Sequence, residues 1–181
     1  MADFRIETEP DSLLREHLYL FTLELKQHPI LDLACGDGHN GILLTKKGFQ
    51  VVFADRSEEA LEQVRRHAGA EGMTATLWQT DLETGVADPF SCQTFSGILV
   101  FRYLHRPLIP AIRRALLPCG ILIFETFTTE QAQFGKPKNP DHLLNPGELL
   151  SWFRDWEVLY TFEGIAGEPP KAIAQLVCRK P

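Results

Sequence analysis

Cysteine is scarce and scattered. The four residues, Cys35, Cys92, Cys119 and Cys178, form no CxxC pair, which argues against a structural zinc site or a redox dithiol and suggests no metal centre. Most of them abut apolar runs and are expected as core thiols. No run of 18 apolar residues occurs, so no membrane partner is expected. The opening MADFRIETEP has neither a basic n-region nor an apolar h-region, so the reading is a cytoplasmic chain with no signal peptide. Positive charge is also short. With 18 Lys and Arg against 24 Asp and Glu the net charge is -6, which disfavours a surface that tracks a phosphate backbone, although a local basic patch over a site stays compatible with it. Repeats and low-complexity segments are absent. What remains, 44% hydrophobic and 23% charged residues over 181 positions, is the composition of one globular domain with a sizeable core, spanning 1–181.

That domain is organised around residues 30–41, ILDLACGDGHNG. Ile30, Leu31, Leu33 and Ala34 suit a buried strand, and Gly36, Gly38 and Gly41 suit a tight turn opening a helix. Literally, Gly36-x-Gly38-x-x-Gly41 is also the dinucleotide fingerprint, so two cofactor classes compete for the turn.

The rest of the chain alternates apolar runs with helical patterns. Residues 11–26 read as one amphipathic helix with Leu14, Leu18, Phe21 and Leu25 on a face, capped by Asp11 or Ser12. Strands are expected at 49–54, 74–79, 97–101, 121–124, 156–162 and 171–179, with helices at 39–47, 57–68, 108–117 and 147–153. Arg113 and Arg114 should face outward from the helix at 108–117. Residues 83–91 and the Pro118–Gly120 region read as turns. Residues 128–146, carrying FGKPKNP, are too rich in proline and polar groups for core and start where a βα loop would emerge over a ligand crevice, so a lid is expected there. Seven strands with helices between most of the first five make a three-layer α/β sandwich.

In such a sheet ligands bind beyond the carboxyl ends of the strands. Distinctive residues collect at five of those ends: Asp32 to Gly38, Asp55, Asp81 with Leu82, Arg102 to Arg106, and Glu125. Asp55 suits a pair of ribose hydroxyls, or else caps the helix beginning near Ser57. It follows Gly41 by 14 residues, whereas a dinucleotide fold places its acid about 20 residues beyond the glycines. An oxidoreductase using NAD would also need a hydride-transfer site, and neither a Tyr/Lys pair nor a second domain is evident.

With Asp32 inside the strand, then Ala34 and Cys35, the glycine stretch resembles the first motif of class I methyltransferases that use S-adenosylmethionine (SAM). The resemblance covers almost the whole chain and is most similar to the small bacterial enzymes grouped around tellurite-resistance and thiopurine methyltransferases. It implies a Rossmann-like methyltransferase fold with strand order 3-2-1-4-5-7-6, the seventh strand antiparallel, and SAM as cofactor. It assigns Asp32 to the methionine amino end, against the plainer reading of a buried acid that orders the turn. Ala34 stands where the family often has glycine, and Gly36 and Gly38 give close backbone approach, whereas Gly41 serves either the cofactor or helix packing. Asp55 with neighbouring Arg56 meets the ribose, Asp81 the adenine amine and Leu82 the ring, with Thr80 a second candidate beside them. Phe101 and Arg102 hold the methionine end through the backbone.

For the acceptor, His105 is the general-base candidate or a helix cap, Arg106 an anion-recognising residue or a solvated one, and Tyr103 a pocket wall. His39 in the turn is a further candidate. Glu125 and Thr126 line the acceptor site or support the lid, and Lys136, Lys138 and Asn139 could draw in an anion. The stretch FRYLHRP stands where the DNA and protein-glutamine amino methyltransferases carry an NPPY-like tetrad, which lowers the case for those substrates. The expectation is methyl transfer to a small-molecule acceptor by in-line displacement, with an NAD oxidoreductase and a non-catalytic SAM-binding regulator as alternatives.

Overall fold

The apolar runs become seven strands of one sheet: β1 (Ile30–Leu33), β2 (Val51–Asp55), β3 (Thr76–Gln79), β4 (Phe95–Phe101), β5 (Leu116–Phe127), β6 (Glu157–Ala166) and β7 (Lys171–Arg179). The computed structural model describes residues 9–85 and 89–181, so the opening residues and the middle of the 83–91 turn lie outside the described residues. The strand order is β3-β2-β1-β4-β5-β7-β6. Neighbours from β3 to β5 pair in parallel, and β7 runs antiparallel to both β5 and β6. This is the order the resemblance implied.

Among the described residues, five α-helices cover the sheet: α1 (Ser12–Glu16), α2 (His39–Lys46), α3 (Glu58–Ala70), α4 (Ile109–Ala115) and α5 (Glu148–Trp152). Strand alternation sorts the core into two layers, because successive side chains point to opposite faces. Ile30, Phe53, Leu99 and Ile123 join α1, α2 and α3 on one face. Leu31, Leu33, Val100, Leu122 and Phe124 join α4 and α5 on the other. The same alternation puts Asp32 and Glu125 on the α1–α3 side.

Three local expectations are corrected. Residues 11–26 do not form one helix: α1 ends at Glu16, and 3-10 turns follow at Leu18–Leu20 and Leu23–Gln27. Aromatic and β-branched residues at 19, 21 and 22 give helix weak support there. Tertiary bonds set the path instead: the Ser96 hydroxyl reaches the carbonyls of Leu25 and His28 at 2.8 and 2.9 Å. Leu14 and Phe21 still reach the core, and Asp11 caps α1 by accepting from the Leu13 amide. The second correction is β5, which begins at Leu116 and runs through Pro118 and Gly120 rather than starting after them. Its register against β4 shifts there, and Cys119 takes φ +62°, so the expected turn is a bulge inside a longer strand. Third, only Cys178 is a buried thiol; Cys92 and Cys119 are exposed.

Arg113 likewise does not simply face outward. Its guanidinium lies over the rings of Phe153 and Trp156 and pairs with Asp155, which puts those aromatic residues in the core beneath α4. No helix among the described residues is long and apolar enough to cross a membrane.

Candidate cofactor and acceptor site

The turn after β1 is built on carboxylates. Ala34, Gly36 and Gly38 take φ of +52°, +56° and +78°, so the backbone reverses within a few residues and Ala34 carries the strain of a left-handed non-glycine. The Gly36 amide donates to Asp55 Oδ2 at 3.0 Å, and the Gly41 amide donates to Asp32 Oδ2 at 2.8 Å. Asp55 also accepts from the Ser57 amide at 2.9 Å, which ties the first βα turn to the second. Asp32 is buried, and desolvation pushes its carboxyl up to about 7 against the pull of the Gly41 amide.

The three glycines divide by what a Cβ would meet. At Gly36 nothing lies within 4 Å, so that side of the turn is open to a ligand. At Gly38 a Cβ would stand 2.6 Å from Val64, and at Gly41 2.3 Å from Phe53 and 2.7 Å from Asp32. Gly38 and Gly41 are therefore demanded by the packing of α2 and α3 on β2.

Beside the turn lies a cavity of about 910 Å³. One part is walled by Ala34, Asp55, Arg56, Thr80, Asp81 and Leu82, from the ends of β1, β2 and β3. The other is walled by Arg102, Tyr103 and Leu104 after β4, Phe127 at the end of β5, and Lys136, Pro137, Lys138, Asn139 and His142 from the irregular segment. Asp81 accepts from the Glu83 amide at 2.9 Å, leaving its second oxygen for a ligand. Burial and a hydrogen bond to Glu83 hold the Tyr103 phenol above its usual range, so Tyr103 is a neutral wall and donor rather than a base.

Other candidates stand elsewhere. Phe101 packs its ring into the α1–α3 side core. His105 does not line the cavity; it lies at the start of the 3-10 turn Arg106–Leu108, where its carbonyl accepts from Leu108. Arg106 is consumed structurally: Nε and Nη2 meet the Glu148 carboxylate at 2.7 and 2.8 Å, and Nη1 and Nη2 meet the carbonyls of Asp141 and Leu143 at 2.9 and 2.8 Å. Four of its five N–H donors are thereby engaged and it does not line the cavity, so its work is to fasten the segment before α5. His39 pairs with Asp37 in the turn. Glu125 and Thr126 are buried away from the cavity, Glu125 accepting from Gln175 at 2.6 Å and pushed up to about 7 by burial and then by Asp11.

Sequence reasoning missed His142, Phe127 and Glu83. His142 sits within the segment already marked as a lid, and Phe127 continues β5 past its expected end; a longer strand would have pointed to it. Glu83 carries no pattern of its own.

The acids at the ends of β2 and β3 and the open glycine turn after β1 put a ligand-sized crevice at the carboxyl ends of an α/β sheet, the place where this class of fold binds its ligands. Residues 30–120, half the chain, match the family described as "Methyltransferase domain", and the chain belongs to that family. A ubiquinone biosynthesis O-methyltransferase of Actinobacillus pleuropneumoniae serotype 7 is 28% identical over 145 residues, covering 68% of this chain and 62% of that one. A tRNA 5-carboxymethoxyuridine methyltransferase of Escherichia coli K12 is 20% identical over 156 residues, covering 72% and 60%. Among solved structures, TehB from Haemophilus influenzae superposes with a TM-score of 0.74 at 17% identity, over 93% of this chain and 61% of that one. The chain thus spans about 60% of the length of the curated relatives it matches.

The turn itself agrees with SAM against NAD. A dinucleotide pyrophosphate needs the amides of the glycine turn and helix N-terminus. Here carboxylates already take the Gly36 and Gly41 amides, and the charges of Asp37 and Asp55 both push the Asp32 carboxyl up. A cofactor without phosphates fits this acidic cradle, and the open side of Gly36 leaves room for it.

Proposed function

We propose that the chain transfers the methyl group of SAM to a small-molecule acceptor by in-line displacement. The observation that carries this is the single cavity joining the β1–β3 rim to the β4–β5 rim, large enough at about 910 Å³ for a nucleoside cofactor and a small acceptor side by side. SAM supplies the electrophilic methyl group, so the protein need not provide a nucleophile. Asp55 would accept from the ribose hydroxyls while keeping its bond to Gly36, Asp81 would accept from the adenine amine, and Leu82 would lie against the ring. Ala34 and Arg56 complete that wall. Asp32 acts through the turn it orders rather than from the cavity surface.

On the acceptor side, Tyr103, Leu104 and Phe127 form an apolar wall that excludes water and fixes orientation, the main sources of rate in such a displacement. If the acceptor must lose a proton, His142 is the cavity imidazole that can take it, in place of His105. Residues 128–146 form the outer wall and act as the lid.

The test is incubation with methyl-labelled SAM and a cell extract separated into small-molecule, RNA and protein fractions. Label moving to the small-molecule fraction supports the proposal, and label confined to RNA or protein contradicts it.

A further inference from the structure

The cavity is divided by charge. Its carboxylates, Asp55, Asp81 and Glu83, all stand at or just beyond the ends of β2 and β3, and Glu83 is engaged by the Tyr103 hydroxyl. The acceptor part is lined by Lys136, Lys138, His142 and Arg102, the last paired with Asp11 at 3.6 Å, and by none of those three carboxylates. In a chain of net charge -6 this local excess of cations runs against the overall balance, and low-dielectric walls focus such a field onto whatever enters.

The backbone that carries the two exposed lysines is also tied down. The Gln131 side chain donates to the Lys136 carbonyl at 3.2 Å while accepting from the Ala172 amide at 2.9 Å, which ties the segment to β7. A parallel bridge between Thr128 and Leu144 closes its base, and Arg106 fastens its far end to Glu148. Neither lysine ammonium enters an ion pair among the described residues. Leu104, Phe127 and Pro137 supply apolar surface to the same cavity.

Resting on the methyltransferase reading above, we infer that the acceptor is a small organic anion, with an apolar body set against Leu104 and Phe127 and a carboxylate or similar oxyanion held by Lys136 and Lys138. The anionic group binds and orients; it need not be the atom methylated. A long polyanion fits less well, because the chain's overall negative charge would repel it beyond the cavity mouth.

The test uses matched probes: benzoate with benzamide, cinnamate with cinnamamide, and indole-3-acetate with indole-3-acetamide. Each is titrated calorimetrically into the chain saturated with S-adenosylhomocysteine, for the wild type and for the double variant Lys136→Gln with Lys138→Gln. The expected result is preference for the carboxylate of at least one pair, reduced about tenfold or more in the variant, the size of a lost charge-assisted bond. No carboxylate preference in any pair, or a preference that survives the double substitution, overturns the inference. Bulk tRNA binding more tightly than every carboxylate, with that binding lost in the same variant, overturns it too. Failure of S-adenosylhomocysteine itself to bind would instead strike the methyltransferase reading, so the two failures are distinguishable.

Discussion

Asp55 is asked to do two things at once, ordering the glycine turn through the Gly36 amide and presenting its carboxylate to the cavity. Asp55→Asn should therefore weaken S-adenosylhomocysteine binding by about 1.5–3 kcal/mol, the worth of a hydrogen bond to a charged group, with a smaller loss of fold stability. Calorimetry beside urea unfolding separates the two, and unchanged affinity would defeat the ribose assignment. The glycines make a second residue-scale test. Gly41→Ala drives a methyl into Phe53 and Asp32 and should cost about 1–3 kcal/mol of stability or more. Gly36→Ala meets no protein atom and should cost only about 1–2 kcal/mol for its left-handed backbone while removing most cofactor affinity. Equal cofactor loss in both would mean that Gly36 has no special standing. At this scale the sequence was informative wherever a strand end met a polar residue: Ala34, Asp55, Arg56, Asp81, Leu82 and Tyr103 share one cavity. It was uninformative about Gly38 and Arg106, because a close contact with Val64 and a partner 42 residues away in Glu148 leave no local pattern.

Among the elements, the segment between β5 and α5 depends on Arg106. Four of its donors meet the Glu148 carboxylate and the carbonyls of Asp141 and Leu143, and a side chain that replaces them with nothing leaves those two carbonyls without this donor and Glu148 with Asn145 alone. Arg106→Ala should raise KM for the acceptor several-fold and leave S-adenosylhomocysteine affinity nearly unchanged, whereas Arg106→Lys should recover only part of the loss because it cannot engage both carboxylate oxygens. A matching fall in cofactor affinity would show that the clamp supports the whole rim. The strands were legible because buried parallel strands are apolar runs bounded by turn residues, and the order followed from the resemblance. The broken first helix was not, since its periodicity is helical while its path is set by Ser96 and by Asp11, whose amide donates to Asn40. The bulge in β5 was hidden for a similar reason: Pro118 and Gly120 signal a turn, and only pairing with β4 and with Lys180 shows that the strand continues.

For the whole molecule, two buried carboxyls make stability depend on pH. Burial chiefly pushes the Asp32 and Glu125 carboxyls up to about 7 in the folded chain, from ordinary values of 3.8 and 4.5. Between about pH 4 and pH 7 the folded state keeps protons that the unfolded state has lost, so their contribution is full below that window and disappears as pH rises through it. The ligand-free chain should lose stability across this range, and Asp32→Asn, which keeps the shape and an acceptor for the Gly41 amide, should flatten the slope in urea titrations at several pH values. A slope identical in the variant would show that Asp32 is not the group responsible.

The central claim is that the glycine turn, crowded by Asp32, Asp37 and Asp55, receives a phosphate-free adenosyl cofactor. Calorimetric titration of the purified chain with SAM, S-adenosylhomocysteine and NADH tests it most directly. The account predicts saturable one-to-one binding of the first two and none of NADH; NADH binding with neither adenosyl ligand bound would contradict it.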